Sequence, residues 1–450
     1  MNKMLYVSGN AEQKEKRILK KLSTMRIIIC IVIFIIMTGC SSSPRKNIIH
    51  ENKTSEKPFI YPEDSYKFLF NGRHIIVQAI INDSVKTSLL FDTGAQSPLF
   101  DSTFTSLNKD KLGVSFEETK RQTVTPGGVI NINSQMRGEL KFSALGMNIG
   151  GNMRIDIADL SKTGLNTDAL FPAYWFFENN IVLMDFEHNY FKILSQGTLD
   201  SIKDQYAAFP FVGNQVTYFT VPTDVEIFTT NHNIKLNGEL VLDIGAPGFL
   251  YLQAGKRALK DNKGAVVPVN IPQDLKIINT KSLSWNPKKT IKRKIINTSH
   301  ISLLDSLNFQ NEEVNILDFR ITPQQIGFLG NEFFRKFQVI FDYRNSMFYL
   351  KPNKEYLKLH NSFSLGMKLY RTSDSKLLYV NSLYESSPAF ETGIQLGDTI
   401  LKINDKPSGK ITNDELRSFE YSKSGTKFSF EVRRGGGILN YEFSIDSVAN

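Results

Sequence analysis

The chain has 450 residues with 54 Lys/Arg against 45 Asp/Glu, a formal charge of +9, which leaves room for two to four domains rather than one core. Residues 1–39 hold seven of the cations against two anions; setting that excess of five aside leaves a formal +4, too mild for a nucleic-acid surface. Both cysteines, Cys30 and Cys40, lie near the N-terminus and the six histidines are scattered. Disulfides, cysteine nucleophiles and zinc–thiolate sites are thereby excluded downstream, and a metallohydrolase is disfavoured.

In chain order, the first element is a leader. Arg26 precedes an apolar run from Ile27 to Met37, then Thr38-Gly39 and Cys40. The run is too short to span a bilayer comfortably, so it reads as a signal peptide. Met37-Thr38-Gly39-Cys40 resembles the lipobox of bacterial lipoproteins, with Met where Leu is usual. The resemblance implies lipidation of Cys40 and a membrane-held, envelope-facing protein. Residues 1–39 are then leader, with Met25 as an alternative start, and 40–62 a polar tether.

From residue 63 the pattern is mostly β. Alternating stretches such as "HIIVQAI" and "KFSFEVR" recur, and few segments have the period of a long amphipathic helix. The polar turn "INDSVKT" (81–87) feeds the apolar run Leu89-Leu90-Phe91, which stops on Asp92, Thr93, Gly94 and Ala95. An unpaired buried carboxylate is costly, so an acid at that position asks for a partner.

The partner lies in an internal repeat. "ELVLDIGAPGFLYL" (239–252) aligns without gaps on "SLLFDTGAQSPLF" (88–100), setting Asp243, Gly245 and Ala246 on Asp92, Gly94 and Ala95, with Ile244 on Thr93. Here "NIKLNG" (233–238) reads as the turn before the strand. "FFENNIVLMDFEHNYFKIL" (176–194) likewise aligns on "FFRKFQVIFDYRNSMFYLK" (333–351), setting Asp185 on Asp342. Those two acids precede hairpin turns and read as turn caps.

These residues, with Phe328-Leu329-Gly330, resemble the two lobes of pepsin- and retropepsin-like aspartic proteases over residues 65–352. The resemblance implies a bilobal pair of acid-protease β-barrels, lobe 1 at 63–196 and lobe 2 at 197–352. It implies a catalytic Asp92/Asp243 dyad that activates water, with Thr93, Gly94, Ala95, Ile244, Gly245 and Ala246 forming the active-site turns. It also implies a flap at Pro126, Gly127 and Gly128, for which "LSWNPKKT" (283–290) is the second-copy counterpart. A peptide or unfolded protein is the expected substrate, with no cofactor and no metal. In the family a Thr or Ser hydroxyl follows each catalytic Asp and braces the other motif. Ile244 departs from this, and "ALFPAYWFF" departs from "GFLGNEFF". Two further readings therefore stay open: an inactive peptide-binding lipoprotein on the same fold, and a homodimer that pairs two Asp92 residues. A monomer suffices if both lobes contribute.

Beyond residue 360 the pattern changes. Ser387-Pro388-Ala389, Gly393-Ile394 and Gly397-Asp398-Thr399-Ile400 resemble a PDZ domain over 361–447, a β-sandwich with helices. The resemblance implies that the loop Ser364-Leu365-Gly366-Met367 captures the terminal carboxylate of a peptide added as an extra strand. "NDELRSFEYS" (413–422) would be the flanking helix.

Overall fold

In the computed structural model of the chain, residues 59–125, 128–160, 165, 167–214, 218–255, 269–283, 290–318, 325–358, 365–372, 376–420 and 422–445 are described. The leader, Cys40 and most of the polar segment after it lie outside them, as do Pro126, Gly127, Ser364 and residues 284–289. The fold is mostly β, and the described strands make three sheets of six, eight and sixteen strands.

The strand β1 (Ile75–Ile81) pairs antiparallel with β2 (Val85–Asp92). Asn82 and Asp83 turn the chain between them at φ 47° and 57°, a left-handed conformation that Asn and Asp tolerate. After β3 (Leu99–Asp101) comes a long hairpin of β4 (Ser115–Thr125) and β5 (Gly128–Ala144), followed by β6 (Met147–Ala158). The strand β7 (Ala169–Pro172) runs parallel to β2 and antiparallel to β3, and β3 runs parallel to β6. Thus β2 is an interior strand, which is why Leu89-Leu90-Phe91 is apolar without alternation; each is at most 1% exposed. The helix α1 (Tyr174–Phe177) and the hairpin of β8 (Ile181–Asp185) and β9 (Tyr190–Leu194) close the segment.

The same order returns. The strand β10 (Tyr218–Phe228) pairs antiparallel with β11 (Asn233–Leu242). β12 (Leu250–Gln253), the hairpin of β13 (Ile278–Leu283) and β14 (Thr290–Asn297), β15 (Glu313–Leu317) and β16 (Gln325–Leu329) follow. β11 is parallel to β16, β16 antiparallel to β12, and β12 parallel to β15. The helix α2 (Asn331–Phe334) and the hairpin of β17 (Phe337–Asp342) and β18 (Met347–Pro352) end it. One expectation shifts: the turn before β11 is Thr229–His232, closed by Thr229 N donating to His232 O at 2.9 Å, and 233–238 is already strand. Ile234 and Leu236 are buried while Asn233, Lys235 and Asn237 are exposed, so a polar-looking segment is an alternating one.

The two repeats meet at β8 and β17, which pair antiparallel from Ile181↔Asp342 to Asp185↔Gln338. Because Ile181 aligns with Gln338 and Asp185 with Asp342, this register is unchanged when the repeats are exchanged, the mark of a local twofold axis. Asp185 and Asp342 each cap the following turn, accepting from His188 N at 2.9 Å and Asn345 N at 3.2 Å. One apolar cluster runs through both repeats, and the Phe177 and Phe341 rings stack across the junction at 6.3 Å between centroids. Removing a fully buried ring there costs about 3–5 kcal/mol.

The C-terminal segment has its own apolar core, including Leu369, Val380, Ile400 and Phe430. Its strands are β19 (Met367–Arg371), β20 (Leu378–Tyr384), β21 (Thr399–Ile403), β22 (Lys427–Arg434) and β23 (Gly437–Ser444), with the helix α3 (Asn413–Glu420) before β22. Beyond pairing with β19 and β21, β20 pairs with β13 of the second repeat over Ser382–Tyr384. The segment is thereby hydrogen-bonded into the second repeat's sheet.

Candidate active site

Both aspartates stand at the ends of interior strands, β2 and just past β11, and each folds its own turn onto its carboxyl. Gly94 N donates to Asp92 Oδ1 at 2.7 Å. Gly245 N and Ala246 N donate to Asp243 Oδ1 at 2.8 and 3.0 Å. Across the axis, each glycine abuts the other repeat's acid. A Cβ on Gly94 would lie 2.7 Å from Asp243 Cγ, and one on Gly245 2.2 Å from Asp92 Cγ. No side chain fits there, so the two turns approach as closely as they do only because both positions are glycine.

The two carboxyls share a hydrogen bond and are both pushed above the ordinary carboxylate value. Burial is the larger cause for each. For Asp92 the charge of Asp243 adds to it, while the hydrogen bond and the backbone N–H groups draw Asp243 partway back. Two acids this close cannot both ionise readily, so the pair holds one proton between them over a window of pH.

A one-sided brace joins the turns. Thr93, 3% exposed, donates its hydroxyl to Leu242 O at 2.7 Å and accepts from Ile244 N at 2.9 Å. Ile244 returns nothing polar; its side chain is fully buried in the shared apolar cluster. The return link comes from Asn331, the first residue of α2 and itself fully buried. Its Nδ2 donates to Ile244 O at 2.6 Å and to Arg73 O in the first repeat at 2.8 Å.

The glycine element also differs between repeats. A Cβ on Gly330 would meet Gly248 O at 2.3 Å and Ala246 O at 2.7 Å, and Gly330 N donates to Phe249 O at 3.0 Å. In the first repeat, the matching registers Phe91↔Phe171 and Leu242↔Leu329 set Pro172 at that position. Proline has no N–H to give. The extra residue Ala173 turns its N–H back to Asp92 O at 3.0 Å instead.

A cleft of about 270 Å³ opens onto the pair. Thr123 and Ile130 of the β4–β5 hairpin line it from one side, and Leu283 and Arg293 of the β13–β14 hairpin from the other. Of the flap residues expected from sequence, Pro126 and Gly127 lie outside the described residues, and Gly128 pairs with Thr125 at the hairpin end. Ala95 lines the cleft, while Ala246, 6% exposed, also gives its carbonyl to Asn331 N at 2.7 Å. In the C-terminal loop, Ser364 lies outside the described residues. Leu365 and Met367 turn into that segment's core, and Gly366, at φ 66°, presents its carbonyl to Tyr384 N at 2.9 Å.

No protein-family model matches the chain. The chain is similar to tight junction protein ZO-3 of Canis lupus familiaris, 34% identical over 68 residues, which is 15% of this chain and 8% of that protein. The match thus spans a small fraction of either.

Sequence reasoning missed several cleft residues. His74 lines the cleft at 5% exposure, and burial first, then Arg73, lowers it to about 3, so it is neutral at ordinary pH. Tyr218 also lines it, at φ 67°, a conformation bulky side chains seldom adopt. Burial, then the charges of Asp92 and Asp243, push its phenol up to about 12, so it remains a hydrogen-bond donor. Tyr370 and Asn381 come from the C-terminal segment. None of these four had a motif around it. Asn331 directly follows the glycine of "GFLGNEFF", where it reads as an ordinary helix start.

Proposed function

We propose that the chain is an aspartic endopeptidase, built as two pepsin/retropepsin-like lobes with a PDZ-like C-terminal domain. The observation that carries this reading is the pair itself: two carboxyls from repeated turns, hydrogen-bonded to each other, raised by burial, and facing a cleft. With one proton between them, the ionised carboxyl takes a proton from water as the water oxygen attacks the peptide carbonyl carbon. The protonated carboxyl gives its proton to the carbonyl oxygen, forming a tetrahedral diol. The carboxyl protonated by the water then gives its proton to the amide nitrogen while the other takes one from a diol hydroxyl, so the C–N bond breaks to leave an acid and an amine and the pair again holds one proton. The β4–β5 hairpin is the flap that excludes water. The C-terminal domain binds peptide or substrate termini, and the lipid on Cys40 holds the protein in a bacterial envelope.

Asp92→Asn and Asp243→Asn are each expected to abolish cleavage of an unstructured protein such as alkylated casein, and a statine-containing peptide to inhibit the wild type. Unchanged cleavage by either variant overturns the dyad. Labelled fatty acid is expected to enter the wild type and not Cys40→Ala. The buried, apolar Ile244 favours a second reading in which the cleft holds peptide without turnover. Tight binding of the statine peptide with no cleavage of any substrate would select it.

A further inference from the structure

The C-terminal segment does more than dock beside the cleft; it forms part of its wall. Tyr370 on β19 and Asn381 on β20 both line the cleft that opens on Asp92 and Asp243. Three sets of contacts fix them there. β20 continues the sheet of the β13–β14 hairpin through Ser282↔Ser382 and Thr280↔Tyr384. Glu313, 5% exposed on β15, accepts from Lys368 Nζ at 2.9 Å and from Tyr384 Oη at 3.0 Å. From the first repeat, the Arg73 guanidinium lies 4.0 Å from the centre of the Tyr370 ring and donates to Leu369 O at 3.3 Å.

Two contacts from the first repeat reach β19 and α3, the elements between which a strand-adding peptide is expected. Arg73 meets β19 as above, while Asn413 at the start of α3 donates Nδ2 to Phe70 O at 3.3 Å. Among the described residues, β20 is the strand partner of β19. The turn 70–74 that makes these contacts ends at His74, which itself lines the cleft.

We infer that Tyr370 is a specificity-determining residue that selects a large apolar side chain of an extended peptide. The chemistry of this end of the cleft favours that class. Leu283 lines the cleft with Tyr370, and the stacked rings of Tyr251 and Phe328, 4.5 Å between centroids and 3% and 1% exposed, are core beside it. A ring on a cleft wall gains from burying an apolar group and discriminates modestly, by about tenfold per lost contact.

This inference rests on the peptidase reading, and the test separates the two. Full-length wild type, Tyr370→Ala and Tyr370→Phe are profiled on a synthetic peptide library, with melting temperature as a folding control. Tyr370→Ala is expected to lose about tenfold in kcat/KM on peptides with a large apolar residue at the selected position. The loss should lie in KM, with kcat, the pH profile and peptides with a small residue there little changed. Tyr370→Phe keeps the ring and should restore the wild-type preference. Identical preferences in wild type and Tyr370→Ala overturn the inference and leave the peptidase reading intact. If the wild type cuts nothing, the peptidase reading fails, and the same variants are compared for binding a statine-containing hexapeptide. Weaker binding by Tyr370→Ala, about tenfold, then supports the inference; equal binding, or none by the wild type, overturns it.

Discussion

The two acid-bearing turns do the same work with different side chains. The first repeat sends a hydroxyl across, so that Thr93 alone serves both Leu242 O and Ile244 N. The second repeat answers from a different element: Ile244 fills the apolar cluster, and Asn331 on α2 reaches back to Arg73 O. What is symmetric is the backbone, where each glycine faces the opposite carboxyl. What has diverged is the bracing. The symmetry that matters to the dyad thus resides in the positions where no side chain fits.

The largest effect should therefore follow from breaking the backbone approach. Gly245→Ala would set a Cβ 2.2 Å from Asp92 Cγ, and displacing a reacting group by even about 1 Å costs about a hundredfold in rate. Gly94→Ala, at 2.7 Å from Asp243 Cγ, should cost less. Peptide cleavage by the two variants measures the order.

Next come the braces. Thr93→Val leaves a buried carbonyl and a buried N–H unpaired, for about 2–4 kcal/mol by urea unfolding, and Asn331→Ala strands two carbonyls for about 2–3 kcal/mol. Ile244→Thr sharpens the comparison. The environment of Ile244 is apolar core, so restoring a hydroxyl there should destabilise by about 1 kcal/mol or more rather than strengthen the junction. A gain in stability would show that the second brace is merely absent, not replaced.

The cleft also has two opposite pH responses. Asp92 and Asp243 are raised in the fold, so their ionisation disfavours it near neutral pH and that cost is relieved as pH falls through their folded values. His74 runs the other way. Its folded value of about 3 lies below the ordinary 6.5, so it costs nothing above pH 6.5 and about 2 kcal/mol at pH 5. Unfolding of wild type and His74→Gln at pH 7 and pH 5 should show the difference between them moving by that amount. The smallest effect is expected from Tyr218→Phe, a few-fold loss in kcat/KM as one donor facing the pair disappears.

The repeat made the strands, the acid-bearing turns and their glycines legible from sequence. Each is a local pattern: an apolar run, an acid, then a glycine that recurs in the same frame. Residues that converge from distant segments were not legible. Asn331 bridges carbonyls 258 and 87 residues away, and Tyr370 reaches the cleft only because β20 pairs with β13. The turn before β11 was misread for a different reason. Asn233, Lys235 and Asn237 made an alternating strand look like a polar loop.

The central claim is that one turn from each repeat contributes to a single proton-sharing pair. Carbon-13 NMR titration of the aspartate carboxyls, with Asp92→Asn and Asp243→Asn to assign the signals, tests it without knowledge of the substrate. The account predicts one carboxyl titrating well above the ordinary aspartate range, and a downward move of Asp92 when Asp243 becomes Asn. Two carboxyls that titrate independently near the ordinary value of about 4, with neither responding to loss of the other, would contradict it.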